Sequence, residues 1–505
     1  AKGADNYIAE KEISADLIER IGAENHFTFT EDWRMGQVEN AAKLDKFIQE
    51  VKELTGSKKV NLYGLSHGGQ LTAAYLYYYG AKGDVDRAIM DAPAIGGTQL
   101  VVDLFEGNIH FDVATLIEYV EIGFRKEYEY EWLVEAFGFE RLNQAFNDII
   151  HQYLLDIVIN FGSVWDFVPL DKYEEFKAKY LDPVENAELI AKSDEMHYNA
   201  MAHMSEGLKR AQSAGTRIAI VANTGHDIGT STGVNSDYVI DVHSSSGAYC
   251  APFGERFPAD CQKQNTVCGD PTHWHISPER DIDASCAYLP ENTWFVNGQF
   301  HGMCPWDRYT RNFYLTFFFT DRITDVYSDK EFPQFDLGQN PANGLYVKFD
   351  RSPSGFHTAK DTALTVESLS EQYDTEIISI KADGIDVDLS SCNDTVLKVG
   401  ESCKIKFKEH ALPKSTEPFT VTVVYSLKNG KIPFVKSRTF TFTAMSEGEY
   451  DNFVFLSGRK PIPGSAANGG KAPLTPPTGA PAAFSAITLL AGAAMLPIAG
   501  KRRKK

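Results

Sequence analysis

Residues 60–76, VNLYGLSHGGQLTAAYL, run from an apolar segment through a glycine-rich turn into a helix-forming segment. The pattern Gly-x-Ser-x-Gly places Ser66 on the turn between a strand and a helix. Glycines two residues before and after the serine, Gly64 and Gly68, remove side chains that would collide at so sharp a bend. The stretch therefore predicts a nucleophilic serine, with a structural glycine-rich turn as the alternative.

A nucleophilic serine requires a histidine base and a carboxylate that orients the histidine. After a nucleophile of this kind the acid precedes the histidine along the chain, and each follows a later parallel strand. His301 follows an apolar segment and is the candidate base. Three aspartates after the strand pattern at 217–222 are candidate acids: Asp227, Asp237 and Asp241.

The oxyanion site is predicted only in part. The backbone amide of His67, directly after the nucleophile, is the expected first donor. The second donor normally lies on a loop after an earlier strand, which would precede residue 1, and losing one donor costs roughly 2.7–4 kcal/mol of transition-state stabilisation. The chain also starts at Ala1 without a signal peptide. We therefore expect a processed chain or a fragment that lacks an upstream segment.

Helix and strand patterns alternate through most of the first 320 residues, which predicts an α/β chain with a doubly wound, mostly parallel sheet. Helical spacing marks 14–22 and 38–54, and strand patterns mark 27–30, 60–65, 87–92, 217–222 and 294–296. Between residues 96 and 212 no strand pattern is present and aromatic residues are frequent. This insertion predicts a helical subdomain with an aromatic core, which we expect to be placed as a cap over the active site. A groove for acyl chains on the inner face of the cap is a narrower alternative.

Residues 340–450 have the alternating threonine, valine and phenylalanine pattern of a small β-sandwich, which we expect to be immunoglobulin-like. All seven cysteines lie in the second half of the chain. Cys392 and Cys403 flank a short strand pattern and are the predicted local disulfide. The other five cannot all pair among themselves, so at least one thiol should remain.

The formal net charge of −20 argues against nucleic acid as a partner. His273 and His275, with Asp281, Asp283 and Cys286, are candidate metal ligands, but two histidines in a loop without a third ligand fixed by spacing are more often incidental. The sequence therefore predicts no metal, and ester hydrolysis needs no organic cofactor.

The C-terminus has the pattern of a surface anchor. A Pro/Gly/Ala-rich spacer at 451–479 precedes an apolar stretch and a basic tail at 480–505. The segment Thr475-Pro476-Pro477-Thr478-Gly479 resembles the Leu-Pro-x-Thr-Gly sorting signal of Gram-positive surface proteins, with threonine in place of leucine. The resemblance implies cleavage between Thr478 and Gly479 and attachment to the cell wall; a plain membrane anchor is the alternative.

Four sequence features resemble those of the α/β-hydrolase lipases and the lecithin:cholesterol acyltransferase-like group. They are Asp32-Trp33-Arg34 before the nucleophile helix, the Ser66 turn, Asn235-Ser236-Asp237, and His301 followed by glycine. The similarity covers about residues 14–320. It implies an α/β-hydrolase domain at 1–325, with a cap at about 96–212. It also favours Asp237 over Asp227 and Asp241 as the acid between Ser66 and His301.

These patterns together predict a cell-surface serine carboxylic ester hydrolase, lipase- or esterase-like, acting on ester substrates that include lipids. An acyltransferase would use the same residues, because an alcohol can replace water in the second step. The alternative outside the enzymes is a surface adhesin or binding protein on a hydrolase scaffold, with the β-domain making the contacts.

Overall fold

The computed structural model of the chain describes residues 13–113, 116, 131–230, 233–258, 261–273, 275–277, 280–302, 304–306, 308–329, 332–335, 345–349, 356–358, 360–368, 374–382, 387–393, 395–398, 401–407, 419–428 and 434–444. These residues form two units. The first contains 13–222 and 227–247, and the second contains 223–226 and 248–444. The predicted anchor and sorting signal, with Thr478 and Gly479, lie outside the described residues.

The elements follow in chain order. The α-helices of the described residues are α1 (Ile13–Ile21), α2 (Gln37–Thr55), α3 (His67–Tyr79), α4 (Gln99–Glu106), α5 (Glu131–Val158), α6 (Gly162–Asp166), α7 (Leu170–Tyr180), α8 (Ala187–Asp194), α9 (Met204–Ser213), α10 (Val242–Ser246) and α11 (Arg308–Phe319). The strands are β1 (Val60–Leu65), β2 (Val85–Asp91), β3 (Arg217–Thr224), β4 (His226–Asp227), β5 (Asn235–Ser236), β6 (Tyr249–Cys250), β7 (Ile282–Asp283), β8 (Thr293–Asn297), β9 (Leu345–Phe349), β10 (Phe356–His357), β11 (Ala363–Ser368), β12 (Asp374–Ala382), β13 (Val387–Asp388), β14 (Thr395–Leu397), β15 (Ser402–Phe407), β16 (Phe419–Lys428) and β17 (Phe434–Ala444).

Four strands between residues 60 and 297 form a parallel sheet in the order β1-β2-β3-β8. Leu65 at the end of β1 pairs with Asp91 of β2, and Asp91 pairs with Val221 of β3. Residues 218–224 of β3 are all buried, as expected for a parallel strand covered on both faces. The prediction of a mixed α/β chain with a parallel sheet is confirmed.

The predicted strand at 27–30 was wrong, because residues 26–32 have no regular secondary structure. The ring of Phe29 instead lies 5.4 Å from the ring of Phe47 on α2. A four-residue alternating pattern specifies a strand only if a neighbouring strand completes the ladder, and here the apolar side chain packs on a helix.

Among its described residues, the segment between β2 and β3 contains helices joined by loops and no strand, as the sequence predicts. Its core includes the ring of Phe105, which stacks on Phe176 at 5.0 Å and meets Trp165 edge-on at 5.0 Å. Gly138, with φ of +71°, interrupts α5 and marks a kink where two helical segments meet. The predicted aromatic residues at 117–130 lie outside the described part of the chain.

Residues 345–444 form two small sheets, ordered β10-β17-β16-β12-β14 and β13-β15-β11-β9. Their pairings are antiparallel except that of β10 with β17. One hydrophobic core contains residues of both sheets, among them Leu364 and Tyr425. Cys392 and Cys403 form a disulfide with 5.4 Å between the Cα atoms, so this prediction is confirmed.

Within the described residues, no helix has the length and apolar character needed to cross a bilayer.

Candidate functional site

Ser66 stands at the turn between β1 and α3 in the first unit. Its backbone has φ of 56° and ψ of −118°, a conformation that residues other than glycine rarely adopt and that costs about 1–3 kcal/mol. The Ser66 N–H donates to the carbonyl of Asp91 at 2.8 Å, which fixes the turn against the end of β2. A strained serine held by its surroundings is the geometry that the Gly-x-Ser-x-Gly pattern predicts.

The glycines around Ser66 do not contribute equally. A Cβ at Gly64 would collide with the carbonyl oxygen of Gly68, so only glycine fits there. A Cβ at Gly68 would meet nothing within 4 Å, and the expected collision at Gly68 was therefore wrong. The second close approach is at Gly69, where a Cβ would lie 2.7 Å from Cβ of Pro93.

His67 follows the nucleophile and begins α3, so its N–H is among the first-turn amides without an intrahelical acceptor. The role of the His67 amide as an oxyanion donor stays a prediction. The imidazole of His67 is buried, and its Nδ1 lies 2.8 Å from Oε1 of Glu31, whose side chain is 2% exposed. The sequence analysis missed Glu31, although it adjoins the Asp32-Trp33-Arg34 segment.

Asp32 and Arg34 pair with each other at the surface. The Arg34 guanidinium donates to both carboxylate oxygens of Asp32, at 2.8 and 2.7 Å. Hydrogen bonding from Arg34 lowers the pKa of Asp32 to about 2. The ring of Trp33 meets Phe161 edge-on at 5.2 Å. In this segment the charged residues stabilise each other, and Trp33 makes the contact with the helical insertion.

The helical insertion reaches the nucleophile turn through Asp166 at the end of α6. The Gln37 N–H donates to Oδ2 of Asp166 at 2.6 Å, and Nε2 of Gln70 donates to the Asp166 carbonyl at 2.7 Å. The ring of Phe167 lies 5.4 Å from that of His67. Burial raises the pKa of Asp166 to about 7, against the opposing effects of the Gln37 hydrogen bond and His67.

Two of the three candidate acids use both carboxylate oxygens to hold backbone. Asp227 accepts the N–H of Ile228 on Oδ1 and that of Gly233 on both oxygens. Asp241 caps α10 by accepting the Ser244 N–H, and its other oxygen accepts the Gln99 N–H at the start of α4. These contacts assign structural roles to both residues.

Asp237 lies in a tight turn and is 1% exposed. Its Oδ1 accepts the N–H groups of Val239 at 3.0 Å and Ile240 at 2.7 Å. The next residue, Tyr238, has φ of 84°, so the turn has an unusual backbone conformation directly after the carboxylate. Both of these hydrogen bonds come from the backbone of the turn that Asp237 begins.

His301 lies in a loop directly after β8 and is 6% exposed. The Gly298 N–H donates to the Thr224 carbonyl at 2.6 Å, and the neighbouring Phe300 ring stacks on His226 at 3.9 Å. Gly225, with φ of +92°, permits this approach, because a Cβ there would collide with Oδ1 of Asn297. The loop is thus fixed to the carboxyl end of β3.

Ser66, Asp227, Asp237 and Asp241 belong to the first unit, and His301 belongs to the second. The structure describes the surroundings of each residue within its own unit. The assembly of Ser66, Asp237 and His301 into a triad stays a prediction.

No family model and no curated protein sequence matches the chain. One solved structure to which it is similar is the CsuC-CsuE chaperone-tip adhesion subunit pre-assembly complex from archaic chaperone-usher Csu pili of Acinetobacter baumannii. The similarity covers 23% of this chain and 66% of that chain, at 10% sequence identity and a TM-score of 0.14. A likeness at that TM-score carries no argument about fold or function.

Residues that could hold a metal lie in the second unit, in a different combination from the one weighed in the sequence. Ligand atoms of Cys268, His273, His275 and Glu291 lie within 4.8 Å of one another. Asp281 and Asp283 instead accept hydrogen bonds from Ser277 and Ser285. The sequence analysis missed Cys268 and Glu291 because the irregular segment between them has no spacing pattern.

The carboxyl group of Glu291 and the thiol of Cys268 have shifted pKa values. Burial opposes ionisation of Glu291, but His275 and His273 outweigh it and lower the pKa of this carboxyl group. Burial raises the pKa of the Cys268 thiol, and the neighbouring Glu291 adds to this shift.

Proposed function

We propose that the chain is a serine-dependent carboxylic ester hydrolase of the lipase or esterase type. Ser66 attacks the ester carbonyl and forms an acyl-enzyme. His301 takes the serine proton and returns it to the leaving alcohol, and Asp237 orients His301. Water then releases the acid by the reverse sequence of proton transfers.

The single observation that carries this proposal is the backbone of Ser66. Strain of this size persists only where the surroundings enforce it, and such residues cluster at active sites. Here a hydrogen bond to Asp91 and the close approach of Gly64 to Gly68 enforce it. A purely structural turn at this point could use glycine without the cost.

The proposed base and acid also have local support. His301 is nearly buried on a loop directly after β8, in the position where parallel sheets place catalytic groups. Among the acids, Asp227 and Asp241 each hold backbone with both oxygens, which favours Asp237. In the proposed mechanism the His67 amide binds the oxyanion, since it opens α3 directly after the nucleophile.

The finer fold assignments belong to the same proposal. We infer an α/β-hydrolase fold for residues up to about 325, with the helical insertion as its cap, because Asp166 and Phe167 lie against the start of α3. We infer a β-sandwich for 345–444, because residues of both sheets share one core. The C-terminal sequence supports attachment to the cell surface, through the cell wall or the membrane.

Labelling with a fluorophosphonate probe tests the proposal on the full chain. The parent protein should form one covalent adduct on Ser66, and Ser66→Ala should form none. His301→Ala and Asp237→Asn should reduce the labelling rate, and hydrolysis of p-nitrophenyl esters should fall by on the order of 10³–10⁴-fold. A series of acyl lengths would then define the acyl specificity.

Ser57→Ala is the matched control, because Ser57 is an exposed serine shortly before β1. It should label as the parent does. An unlabelled parent protein, or equal labelling of Ser66→Ala, would contradict the hydrolase proposal. If added alcohols take the acyl group faster than water does, the enzyme is an acyltransferase.

A further inference from the structure

We propose that Cys268, His273, His275 and Glu291 form a structural zinc site in the second unit. The four side chains come from an irregular loop and from the short turn of helix that precedes β8. Cys268 and His275 are buried, whereas the side chains of His273 and Glu291 are 33% and 35% exposed. The cluster therefore has an inner half that solvent does not reach and an outer half through which an ion can enter.

The donor set matches the chemistry of Zn²⁺. Thiolate, imidazole and carboxylate are the ligands that zinc accepts, and four protein ligands are typical of closed, structural sites. A Cys268 thiolate and a Glu291 carboxylate contribute two negative charges, and two neutral imidazoles contribute none. One Zn²⁺ balances this charge, while the thiol proton passes to solvent.

The separations of the donor atoms fit one ion. Bonds of about 2.0–2.3 Å in a tetrahedron place neighbouring ligand atoms about 3.3–3.6 Å apart. Sγ of Cys268 lies 3.7 Å from Nδ1 of His273 and 3.6 Å from Oε1 of Glu291. Nε2 of His275 lies 3.7 Å from the same Glu291 oxygen. The contact between His273 and Glu291, at 2.6 Å, must open slightly to admit the ion.

The tautomer of His275 is fixed by Gln334. Nε2 of Gln334 donates to the carbonyls of Pro290 and Thr293, so its Oε1 can only accept. Nδ1 of His275 lies 2.9 Å from this oxygen and must therefore carry the proton. The Nε2 lone pair then points into the cluster, as a metal ligand requires.

His273 has a carboxylate on its outer side, at a distance beyond a direct hydrogen bond. Its Nε2 lies 3.6 Å from Oδ2 of Asp270, while Nδ1 faces Cys268 and Glu291. Imidazole rings that ligate zinc commonly donate their second N–H to a carboxylate or an amide oxygen. Nδ1 of His273 and Nε2 of His275 thus face the same cluster, although only one residue separates the two histidines in the sequence.

Bound zinc would join a loop without regular structure to the main fold of the second unit. Glu291 lies two residues before β8, and Gln334 is tied to β8 because its carbonyl accepts the Phe295 N–H at 2.8 Å. The ion would therefore restrain residues 268–275 against β8. This role is independent of the proposed serine chemistry.

Zinc binding can be measured on the full, metal-free chain without a histidine tag. We expect one Zn²⁺ per chain, with an apparent dissociation constant on the order of 10⁻⁷ M or tighter in competition with a chromophoric chelator. Saturating zinc should raise the midpoint of thermal unfolding by several degrees. Co²⁺ should bind at the same site and give a thiolate-to-cobalt charge-transfer band.

Cys268→Ser should weaken zinc binding at least tenfold and remove the charge-transfer band. Glu291→Gln should weaken zinc binding to a similar extent and keep the band. Because this change is isosteric and Glu291 is only partly buried, it tests the proposal even if Cys268→Ser fails to fold. Cys286→Ser and Glu255→Gln are matched controls outside the cluster and should bind as the parent does. Substoichiometric zinc, a cobalt complex without the band, or parent-like binding by Glu291→Gln would overturn the proposal.

Discussion

The carboxylate of Asp166 lies beside the nucleophile turn, where solvent does not reach. Only 2% of the residue is exposed, and the Gln37 N–H is its donor on Oδ2. Burial raises the pKa of Asp166 most strongly and Glu39 adds to this shift, whereas the Gln37 hydrogen bond and His67 oppose it. A group with a folded pKa of about 7 holds its proton over a pH range in which the unfolded chain has lost it.

This shift predicts that stability falls as pH rises. Between the ordinary pKa of 3.8 and the folded pKa of about 7, the folded state binds more protons than the unfolded state. The free energy of unfolding therefore decreases across that interval, by about 2–4 kcal/mol, and levels off above it. The stability of Asp166→Asn should lack this pH-dependent decrease. Relative to the parent, its free energy of unfolding should therefore rise as pH increases from 4 to 7. Urea unfolding followed by tryptophan fluorescence measures the difference.

Asp171→Asn is the control for a neutralised acid, because Asp171 is exposed at the start of α7. Its unfolding curves should follow the parent at every pH. Parallel pH profiles for the parent and Asp166→Asn would show that the Asp166 proton is not linked to folding.

At the residue scale, sequence prediction succeeds where the determinant is local. The Ser66 turn is specified by residues within a few positions of it, and its conformation agrees with the prediction. Glu31 and Asp166 approach His67 and Gln37 only through tertiary packing, so no sequence pattern near the serine indicates them. Cys268 and Glu291 are likewise brought together only by tertiary packing, so no sequence pattern indicates their proximity.

The strand-turn-helix element built from β1 and α3 depends on close backbone contact. Gly64 lies against the carbonyl of Gly68, and Gly69 lies against Pro93 after β2. Helix α3 is buried along most of its length, so it cannot move away to relieve a collision. The element therefore tolerates substitution at some of its glycines and not at others.

Two alanine substitutions distinguish these glycines. Gly64→Ala should destabilise the protein by several kcal/mol, because the new methyl group collides with backbone rather than with a flexible side chain. Gly68→Ala should be close to neutral or stabilising by about 0.4–1 kcal/mol, because nothing lies near its Cβ and alanine favours the helix. Chemical unfolding of both variants provides the comparison.

The sequence motif alone treats the two glycines as equivalent. Equal losses of stability in Gly64→Ala and Gly68→Ala would therefore contradict the assignment of the collision to Gly64. Fluorophosphonate labelling provides a second test, and we expect Gly68→Ala to keep its labelling.

Most elements of the parallel sheet were predictable because their apolar runs are continuous and bounded by turn residues. The strand prediction at 27–30 was wrong because Phe29 packs against Phe47 of helix α2 instead. The strands between 374 and 444 were predictable from alternation, whereas their order in two sheets depends on pairings between distant segments.

For the whole molecule, cysteine usage separates two regions. The first 249 residues contain no cysteine, whereas the Cys392–Cys403 disulfide lies in the core of the C-terminal strands. A disulfide that closes a sequence separation of 11 contributes about 3 kcal/mol, chiefly by restricting the unfolded chain. Loss of the disulfide should therefore destabilise the C-terminal strands and leave the cysteine-free region unaffected.

Reduction should increase hydrogen exchange in β12, β15 and β16 and leave β1, β2 and β3 unchanged. Mass spectrometry of the full chain, with and without a phosphine reductant, resolves these segments. A Cys392→Ser/Cys403→Ser variant should have the reduced pattern without reductant and respond no further to it. Uniform exchange changes along the whole chain, or none at all, would contradict a local stabilising role.

The division of the chain into units was not predictable from patterns along the sequence. Residues 223–226 leave the first unit and 227–247 return to it, a division that rests on long-range contacts. Composition could bound the number of cores but could not assign segments to them.

The helical insertion between β2 and β3 also has a consequence for synthesis on the ribosome. β2 ends at Asp91 and its partner β3 begins at Arg217. At about 5–20 residues per second, roughly 10 s pass before that partner emerges. Throughout this interval one edge of β2 lacks its strand, and exposed edges of this kind associate with other chains. Until β3 emerges, the nascent protein therefore depends on early burial of this edge by its own helices or on a chaperone.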